Sequence, residues 1–233
     1  QAPQLYKQLL MVSGFDRYFQ IATCFREEDP RADGFYGEFY QLDMEMSFIT
    51  QDVLFAELEP LMCRLFNELS NKKLLFDTFP RIPYREALNL YGTDKPDLRF
   101  DLKMVDCTKI FENCELKIFK SAAASGGVVK VIPVKDGGAQ TRKFFDDAEA
   151  FAKGEGAKGL AWITIKDGEM RGPIVKFLSD GEREQLCAHA KLGEGDAAFF
   201  GAGPAAEVNG LLGKVRNYLG RALNLIDKGH VAF

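Results

Sequence analysis

The sequence predicts an α+β protein made of two parts that differ in composition. Glycine is unevenly distributed, because residues 1–112 contain 4 glycines and residues 113–233 contain the other 18 of 22. Charge changes as well: residues 1–100 hold 11 basic and 16 acidic groups, whereas the remainder holds 19 and 18. Strand and helix patterns are mixed in the second part without the strict alternation of a parallel α/β fold. We therefore expect a domain boundary within residues 100–115.

Length and composition narrow the class of protein. A chain of 233 residues with 46% hydrophobic and 27% charged residues is typical of one or two globular domains. The net charge of -4 argues against a basic nucleic-acid coat, but it allows RNA to be bound locally. No apolar run approaches the ~20 residues that cross a bilayer, and the N-terminus lacks the features of a signal peptide. The five cysteines show no C-x-x-C spacing. We therefore expect a cytoplasmic protein, since a reducing cytosol fits these cysteines better than a disulfide framework.

The first part is predicted to contain a β-hairpin between two helices. Three leucines at helical spacing predict a helix near residues 3–12. Residues 18–25 are aromatic and β-branched, and residues 38–48 place apolar residues among polar neighbours, which predicts two strands. A charged loop joins them, as in an antiparallel hairpin. Residues 52–70 form an amphipathic pattern, and Pro60 predicts a kink or a break in that helix.

The second part is predicted to be a compact mixture of strands and helices. The predicted strands are 115–119, 128–134, 159–165 and 197–200, and the predicted helices are 141–153, 179–192 and 204–226. Thr141 and Ser179 are the expected N-caps, and Asp167-Gly168 is a turn signal. Gly210 and Gly213 are expected to weaken the last helix.

The richest cluster of functional side chains lies at the predicted hairpin. Arg26 and Glu28 stand two residues apart at a strand end, so both side chains are expected on one face. Gln41 and Asp43 repeat that spacing in phase with Phe39. Such a face suits a ligand that carries a phosphate, an ammonium group and a flat ring, because arginine donates two hydrogen bonds to one phosphate or carboxylate. The alternative is a solvated charged loop without a binding function.

These residues resemble motif 2 of the class II aminoacyl-tRNA synthetases. The similar stretches are Phe25-Arg26-x-Glu28, Arg31-Ala32-Asp33 and Glu38-Phe39-x-Gln41-Leu42-Asp43-x-Glu45-Met46. The sequences RAD at 31–33 and QLDMEMSF at 41–48 are similar in particular to the bacterial-type aspartyl-tRNA synthetases.

Further segments extend this resemblance over nearly the whole chain. Residues 3–10 resemble the aspartate-recognition segment of that family, and residues 91–99 resemble its stretch just before an inserted domain. Residues 158–162, 172–177 and 198–201 resemble the insertion domain that the family shares with tRNA-dependent amidotransferase subunits.

The resemblance implies a domain order and a two-step reaction. A partial class II antiparallel-sheet core would occupy 1–112, a compact insertion domain 113–210, and a helix returning toward the core 211–233. Aspartate would attack the α-phosphate of ATP to give aspartyl-adenylate, and tRNA would then accept the aspartyl group. The full-length enzyme would be a homodimer, and Mg²⁺ would be held by ligands outside this sequence.

The resemblance also implies roles for individual residues. Arg26 would be the catalytic residue that clamps the α-phosphate and the α-carboxylate of the substrate. Glu28 would accept from the adenine amino group, and Phe39 would stack on the adenine ring. Gln41 and Asp43 would hold the substrate ammonium group.

Three further residues complete the implied site. Gln4 and Lys7 would recognise aspartate, and Lys7 would pair with its side-chain carboxylate, which discriminates against a neutral amide. Arg31 would meet the pyrophosphate end of ATP or the tRNA acceptor. No metal ligand is implied among these residues.

The chain also departs from the family pattern. Gly34 stands where an arginine is usual, and Ala2 replaces a common serine. No segment resembles motif 1, motif 3 or the anticodon-binding barrel, so we expect that this stretch alone cannot form aspartyl-adenylate.

Three alternatives remain open at this point. Residues 113–210 can be a non-catalytic module that contacts tRNA or stabilises the core. The enzyme can be a ligase that also charges the asparagine tRNA. A class II enzyme for asparagine or lysine is the third, and Lys7 with the RAD and QLD sequences argues against it.

Overall fold

The computed structural model describes residues 3–26 and 37–232, and it divides the chain into units 1–65 and 66–233. The predicted α+β class is confirmed in these residues. The helices are α1 (Gln4–Val12), α2 (Gln51–Leu69), α3 (Tyr84–Tyr91), α4 (Lys117–Ala124), α5 (Arg142–Gly154), α6 (Asp180–Ala190) and α7 (Ala205–Ala222). The strands are β1 (Arg17–Arg26), β2 (Gly37–Met46), β3 (Lys73–Leu74), β4 (Val105–Asp106), β5 (Val128–Val134), β6 (Ala161–Lys166), β7 (Glu169–Arg171), β8 (Ala197–Gly203) and β9 (His230–Val231). No helix in the described part of the chain combines the length and the apolarity needed to cross a bilayer.

The first unit contains the predicted hairpin. Strands β1 and β2 pair antiparallel over ten residues each, and α1 precedes them, as the sequence predicts. Helix α2 follows and runs through Pro60 as one element. The predicted break at that proline is therefore absent.

The second unit is organised around a five-stranded antiparallel sheet in the order β4-β5-β8-β6-β7. Both faces of this sheet are buried. Adjacent residues Phe199 and Phe200 on β8 belong to different hydrophobic clusters, and so do Val131 and Ile132 on β5. A strand covered on both faces consists of an almost continuous apolar run, which explains why β5 and β8 are recognisable in the sequence. A short parallel pair, β3 with β9, lies apart from this sheet.

Helices α5 and α7 supply the cluster on one face of the sheet. Phe145 of α5 stacks on Trp162 at 4.3 Å between ring centroids and on Phe199 at 5.7 Å. Leu212 and Leu219 of α7 are fully buried in the same cluster. The apolar faces of these two helices are therefore buried against the sheet.

A helix begins at Lys117, within residues 115–119, which makes the prediction of a strand there wrong. Helix α4 covers Lys117–Ala124, and it buries Phe119 and Ala122 while Ile118 stays exposed. A spacing of three residues between buried positions is helical, whereas a strand would bury every second residue. Three alanines in succession at the end of α4 add helix propensity.

The structure also refines the predicted ends of three elements. Ser179 forms a capping box with Glu182 at the start of α6, as expected for an N-cap. Thr141 occupies the N-cap position of α5, as predicted, but its side chain makes no capping hydrogen bond. Asp167 and Gly168 both have positive φ in the turn between β6 and β7, as the turn signal predicts.

Glycines within α7 do not interrupt it. The helix continues past Gly210 and Gly213 without a break, and the weakening expected at these positions stays a prediction. Gly213 is needed for packing, because a Cβ at this position would lie 2.8 Å from the carbonyl oxygen of Tyr91. The sequence-based division at 112/113 and 210/211 stays a prediction.

The buried thiol of Cys107 is expected to resist alkylation in the native chain. Burial raises the pKa of this thiol to about 12, so about one part in ten thousand is ionised at pH 8. Iodoacetamide should therefore modify the partly exposed Cys63 first and reach Cys107 only when urea unfolds the chain. Peptide mass spectrometry after timed alkylation measures both rates. Equal rates in the native chain would contradict the burial of Cys107.

Candidate functional site

The register of the β1–β2 hairpin places the predicted site residues on one face. Phe39 lies opposite Cys24, Gln41 opposite Ala22, and Asp43 opposite Gln20. Directly opposed residues of antiparallel strands point to the same side of the sheet, and every second residue follows them. Arg26 is in phase with Cys24 on β1. The predicted common face of Arg26, Phe39, Gln41 and Asp43 is therefore confirmed.

Arg26 and Phe39 are in contact on this face. The guanidinium carbon of Arg26 lies over the Phe39 ring, 5.1 Å from its centroid. A cation at this distance is attracted by the negative face of the ring. The hairpin thus presents a fork of hydrogen-bond donors beside a flat aromatic surface.

Helix α1 contributes Lys7 to the same face. Its Nζ lies 2.9 Å from Asp43 Oδ1 and 3.2 Å from Glu45 Oε2. Gln41 Nε2 also donates to Asp43 Oδ1, at 3.4 Å. The side chain of Lys7 is only 13% exposed. Two segments distant in sequence therefore bring an ammonium group, two carboxylates and an amide together.

One carboxylate oxygen of Asp43 has no hydrogen-bond donor among the described residues. The residue is 4% exposed, and no described residue donates a hydrogen bond to its buried Oδ2. A buried charged oxygen without a donor costs free energy, since it has lost its hydration. A ligand ammonium group placed at this oxygen would remove that cost.

Gln4 is the first residue of α1, one helical turn before Lys7. Residues three apart on a helix lie on the same side, so Gln4 neighbours Lys7 along α1. Its side chain is exposed. Glu28 and Arg31 lie outside the described residues.

Sequence reasoning did not assign Glu45 to the site. Glu45 faces Lys7 because it continues the alternation of Phe39, Gln41 and Asp43 along β2. That spacing of two residues was the signal available in the sequence. Within the described ranges, no group of three or more histidine, cysteine, aspartate or glutamate residues is placed to hold a metal ion.

The opposite face of the hairpin is apolar and exposed. Phe19 and Ile21 on β1 are each 71% exposed, and Tyr40 on β2 is 70% exposed. The polar face is the more buried one, with Asp43 and Cys24 among its least accessible residues. This hairpin therefore reverses the usual burial of an amphipathic sheet.

Lys7 is expected to keep its charge to unusually high pH. Hydrogen bonds from its ammonium group to Asp43 and then to Glu45 raise the pKa of Lys7 above 10.5. A raised folded-state pKa means that the ion pair contributes fully to stability below 10.5 and is lost as the pH rises through the folded value. Titration of the Lys7 side-chain carbon signal by NMR measures the midpoint. The midpoint should fall in D43N, and an unchanged midpoint would contradict this contact.

The chain belongs to a known class of enzyme. The family model of class II tRNA synthetases (D, K and N) matches residues 1–209, and the chain belongs to this family. It is 50% identical over 234 aligned positions to the aspartate–tRNA(Asp/Asn) ligase of Zymomonas mobilis subsp. mobilis, covering 100% of this chain and 39% of that protein.

Other relatives are similar to the same degree. The aspartate–tRNA ligase of Streptomyces avermitilis is 52% identical over 217 positions, which cover 93% of this chain and 36% of that protein. The aspartate–tRNA(Asp/Asn) ligase of Rickettsia felis is 49% identical over 229 positions, which cover 98% and 38%. The chain thus spans about two fifths of the length of the curated relatives it matches.

Proposed function

We propose that this chain carries the aspartate- and adenylate-binding hairpin of an aspartate–tRNA ligase. The full-length enzyme would join aspartate to ATP with release of pyrophosphate and then transfer the aspartyl group to tRNA. The observation that carries the proposal is the pairing of Lys7 with Asp43, whose second oxygen is buried and has no donor in the described part of the chain. A dipolar ligand with both a carboxylate and an ammonium group complements these two charges.

The contacts among Lys7, Asp43 and Glu45 suggest how aspartate would bind. The side-chain carboxylate of aspartate would pair with Lys7, and its ammonium group would reach Asp43 Oδ2 beside Gln41. Glu45 would hold the other side of the Lys7 ammonium group, to which its Oε2 already lies at 3.2 Å. Asparagine would bind less well, because its neutral amide does not compensate the partly buried cation.

The nucleotide would occupy the Arg26 end of the hairpin face. The Arg26 guanidinium would donate two hydrogen bonds to the α-phosphate and the α-carboxylate, which stabilises charge developing during in-line attack. Adenine would stack on Phe39, so Arg26 would leave its position over the ring as it turns to the phosphate. Glu28 would accept from the adenine amino group, and Arg31 would contact the pyrophosphate end of ATP or the tRNA acceptor.

The remaining features of the proposed enzyme follow from the family. It would act in the cytoplasm as a homodimer and use Mg²⁺ with ATP. The described carboxylates Asp43 and Glu45 already bind Lys7, and they form no metal-ligand group, so we assign no step to Mg²⁺ here.

Binding of a non-hydrolysable aspartyl-adenylate analogue to the purified chain tests this proposal. R26Q and K7Q should each weaken binding by about tenfold or more, because each loses a charge-assisted hydrogen bond. R17Q is the matched control, since Arg17 lies at the opposite end of β1 and on its other face. Isothermal titration calorimetry measures the affinities. Absence of binding by the unsubstituted chain, or equal affinity in all variants, would contradict the proposal.

A broader tRNA specificity is the second candidate function. The relatives from Zymomonas mobilis and Rickettsia felis bear the name aspartate–tRNA(Asp/Asn) ligase, whereas the one from Streptomyces avermitilis is named for aspartate alone. Aspartylation of purified asparagine tRNA by the full-length enzyme tests this candidate. Charging of the aspartate tRNA alone would exclude it.

A further inference from the structure

A cleft in the second unit has the charge and size of an anion site. Its volume is about 140 Å³, and it lies between the 95–100 segment, the last two turns of α7 and the residues that follow. The lining residues are Lys95, Asp97, Phe100, Asn217, Arg221 and Ile226. Sites for drug-sized molecules run from about 300 to 1,000 Å³, so this cleft suits a single small group.

The acidic residue of the cleft, Asp97, is already paired with a cation. Asp97 Oδ1 accepts from Arg99 Nε at 2.8 Å, and Asp97 Oδ2 accepts from Arg99 Nη2 at 2.7 Å. This two-point ion pair with Arg99 holds the pKa of Asp97 below its usual value. Asp97 thus stays charged, but its charge is compensated by Arg99.

Two cations of the cleft have no such partner. Neither Lys95 nor Arg221 has a carboxylate oxygen within 4 Å among the described residues, and both side chains are exposed. The buried guanidinium of Arg216 lies directly behind the cleft, because it donates to the carbonyl oxygens of Asp97 and Phe100 at 2.8 and 3.0 Å. Two cations and one carboxylate line the cleft, so positive charge is in excess among its lining residues. The charge of Arg216 is partly balanced by Asp97 and Asp101.

Neutral groups of the cleft also favour an anion. Asn217 Oδ1 accepts from Arg216 Nη1 at 3.5 Å, which leaves the Asn217 amide nitrogen to donate to a ligand.

The negative end of the α7 dipole opposes an anion, but the carbonyls of Leu219, Gly220 and Arg221 each accept a backbone hydrogen bond from residues 223–225. This satisfies the end of the helix and reduces the opposing field.

We propose that this cleft binds a single phosphate group, with Lys95 and Arg221 as its charged ligands and Asn217 as a neutral donor. Phe100 and Ile226 form an apolar wall, which excludes water from one side and strengthens the charged contacts. The phosphate group can belong to free inorganic phosphate or to a phosphodiester of RNA, since both present the same oxygens to the cations.

Titration of the isotope-labelled chain, followed by amide NMR shifts of α7 and the 95–100 segment, tests this site. One arm uses inorganic phosphate against sodium chloride at equal ionic strength, and the other uses a short RNA duplex. K95Q and R221Q should each weaken binding by about tenfold. K120Q is the matched control, because Lys120 on α4 does not line the cleft. Lys95 and Arg221 are exposed, so both variants are expected to fold normally.

Each outcome decides the proposal. Local shifts with phosphate alone, lost in K95Q and R221Q but kept in K120Q, would identify a free anion as the ligand. Local shifts with RNA alone, again lost in K95Q and R221Q but kept in K120Q, would identify a phosphodiester of RNA as the ligand. Absence of local shifts in both arms, or equal weakening in all three variants, would overturn the site.

Discussion

Replacing Arg216 by alanine is expected to destabilise the second unit by about 4 kcal/mol. Arg216 is fully buried on α7, and its guanidinium donates to the carbonyl oxygens of Asp97, Phe100 and Leu102. It also lies over the rings of Tyr91 and Phe100, at 5.0 and 4.0 Å from their centroids. Alanine would leave three carbonyls without a donor and open a cavity between two aromatic rings.

Urea unfolding measures this loss, and two further variants define its cause. R216K keeps the charge but replaces the planar fork by one nitrogen, so we expect about half of the loss. R171A removes an arginine whose ion pairs with Asp167 and Glu169 are exposed, and it should cost less than about 1 kcal/mol. A free energy of unfolding for R216A within 1 kcal/mol of the unsubstituted chain would contradict this account.

Replacing Gly92 by alanine is expected to destabilise the chain by about 3 kcal/mol. Gly92 ends α3 in the left-handed conformation, at φ 74°, and its N–H donates to the carbonyl of Leu88. A Cβ at this position would lie 2.1 Å from the backbone carbonyl oxygen of Asn209 and 2.7 Å from Gly213 Cα. Because both are backbone atoms, α3 and α7 would have to separate.

Gly126 provides the matched control for this substitution. It has nearly the same conformation, at φ 75°, but nothing lies within 4 Å of its Cβ position. G126A should therefore cost only the strain of the left-handed backbone, about 1 kcal/mol. The difference between G92A and G126A in urea unfolding isolates the helix contact. Equal losses in the two variants would show that α3 and α7 do not approach this closely.

Much of the hairpin was predictable because its signals are local. Strand periodicity alone places Arg26, Phe39, Gln41 and Asp43 on one face, and the register of β1 and β2 confirms this. The contact of Lys7 with Asp43 spans 36 residues, so its distance and its burial could not be read from either segment. The resemblance to a synthetase family implied a role for both residues, but it paired Lys7 with the carboxylate of the substrate and Asp43 with its ammonium group, not with each other.

Amphipathic patterns predicted the positions of helices and strands better than they predicted which side chains are buried. The apolar residues Phe19, Ile21 and Tyr40 would be expected inside, yet they are exposed while Asp43 is buried. The prediction of a strand over 115–119 is wrong, because a window of five residues does not distinguish a strand from a helix. Phe119 and Ala122 are buried in the same cluster, and this spacing of three residues is reached by a helix and not by a strand.

The amino-acid sequence by itself determined the α+β class, the main helices and strands, the shared face of the hairpin and the family. The first three follow from backbone propensity and side-chain periodicity, which act between neighbouring residues, whereas the family follows from the resemblance of several separate motifs. Only the tertiary structure decided that Arg216 is buried among carbonyls, that Gly92 meets Gly213, and that one oxygen of Asp43 receives no hydrogen bond from residues 3–26 or 37–232. The physical reason is that burial and hydrogen-bond satisfaction depend on chain segments distant in sequence, whose approach no local pattern records.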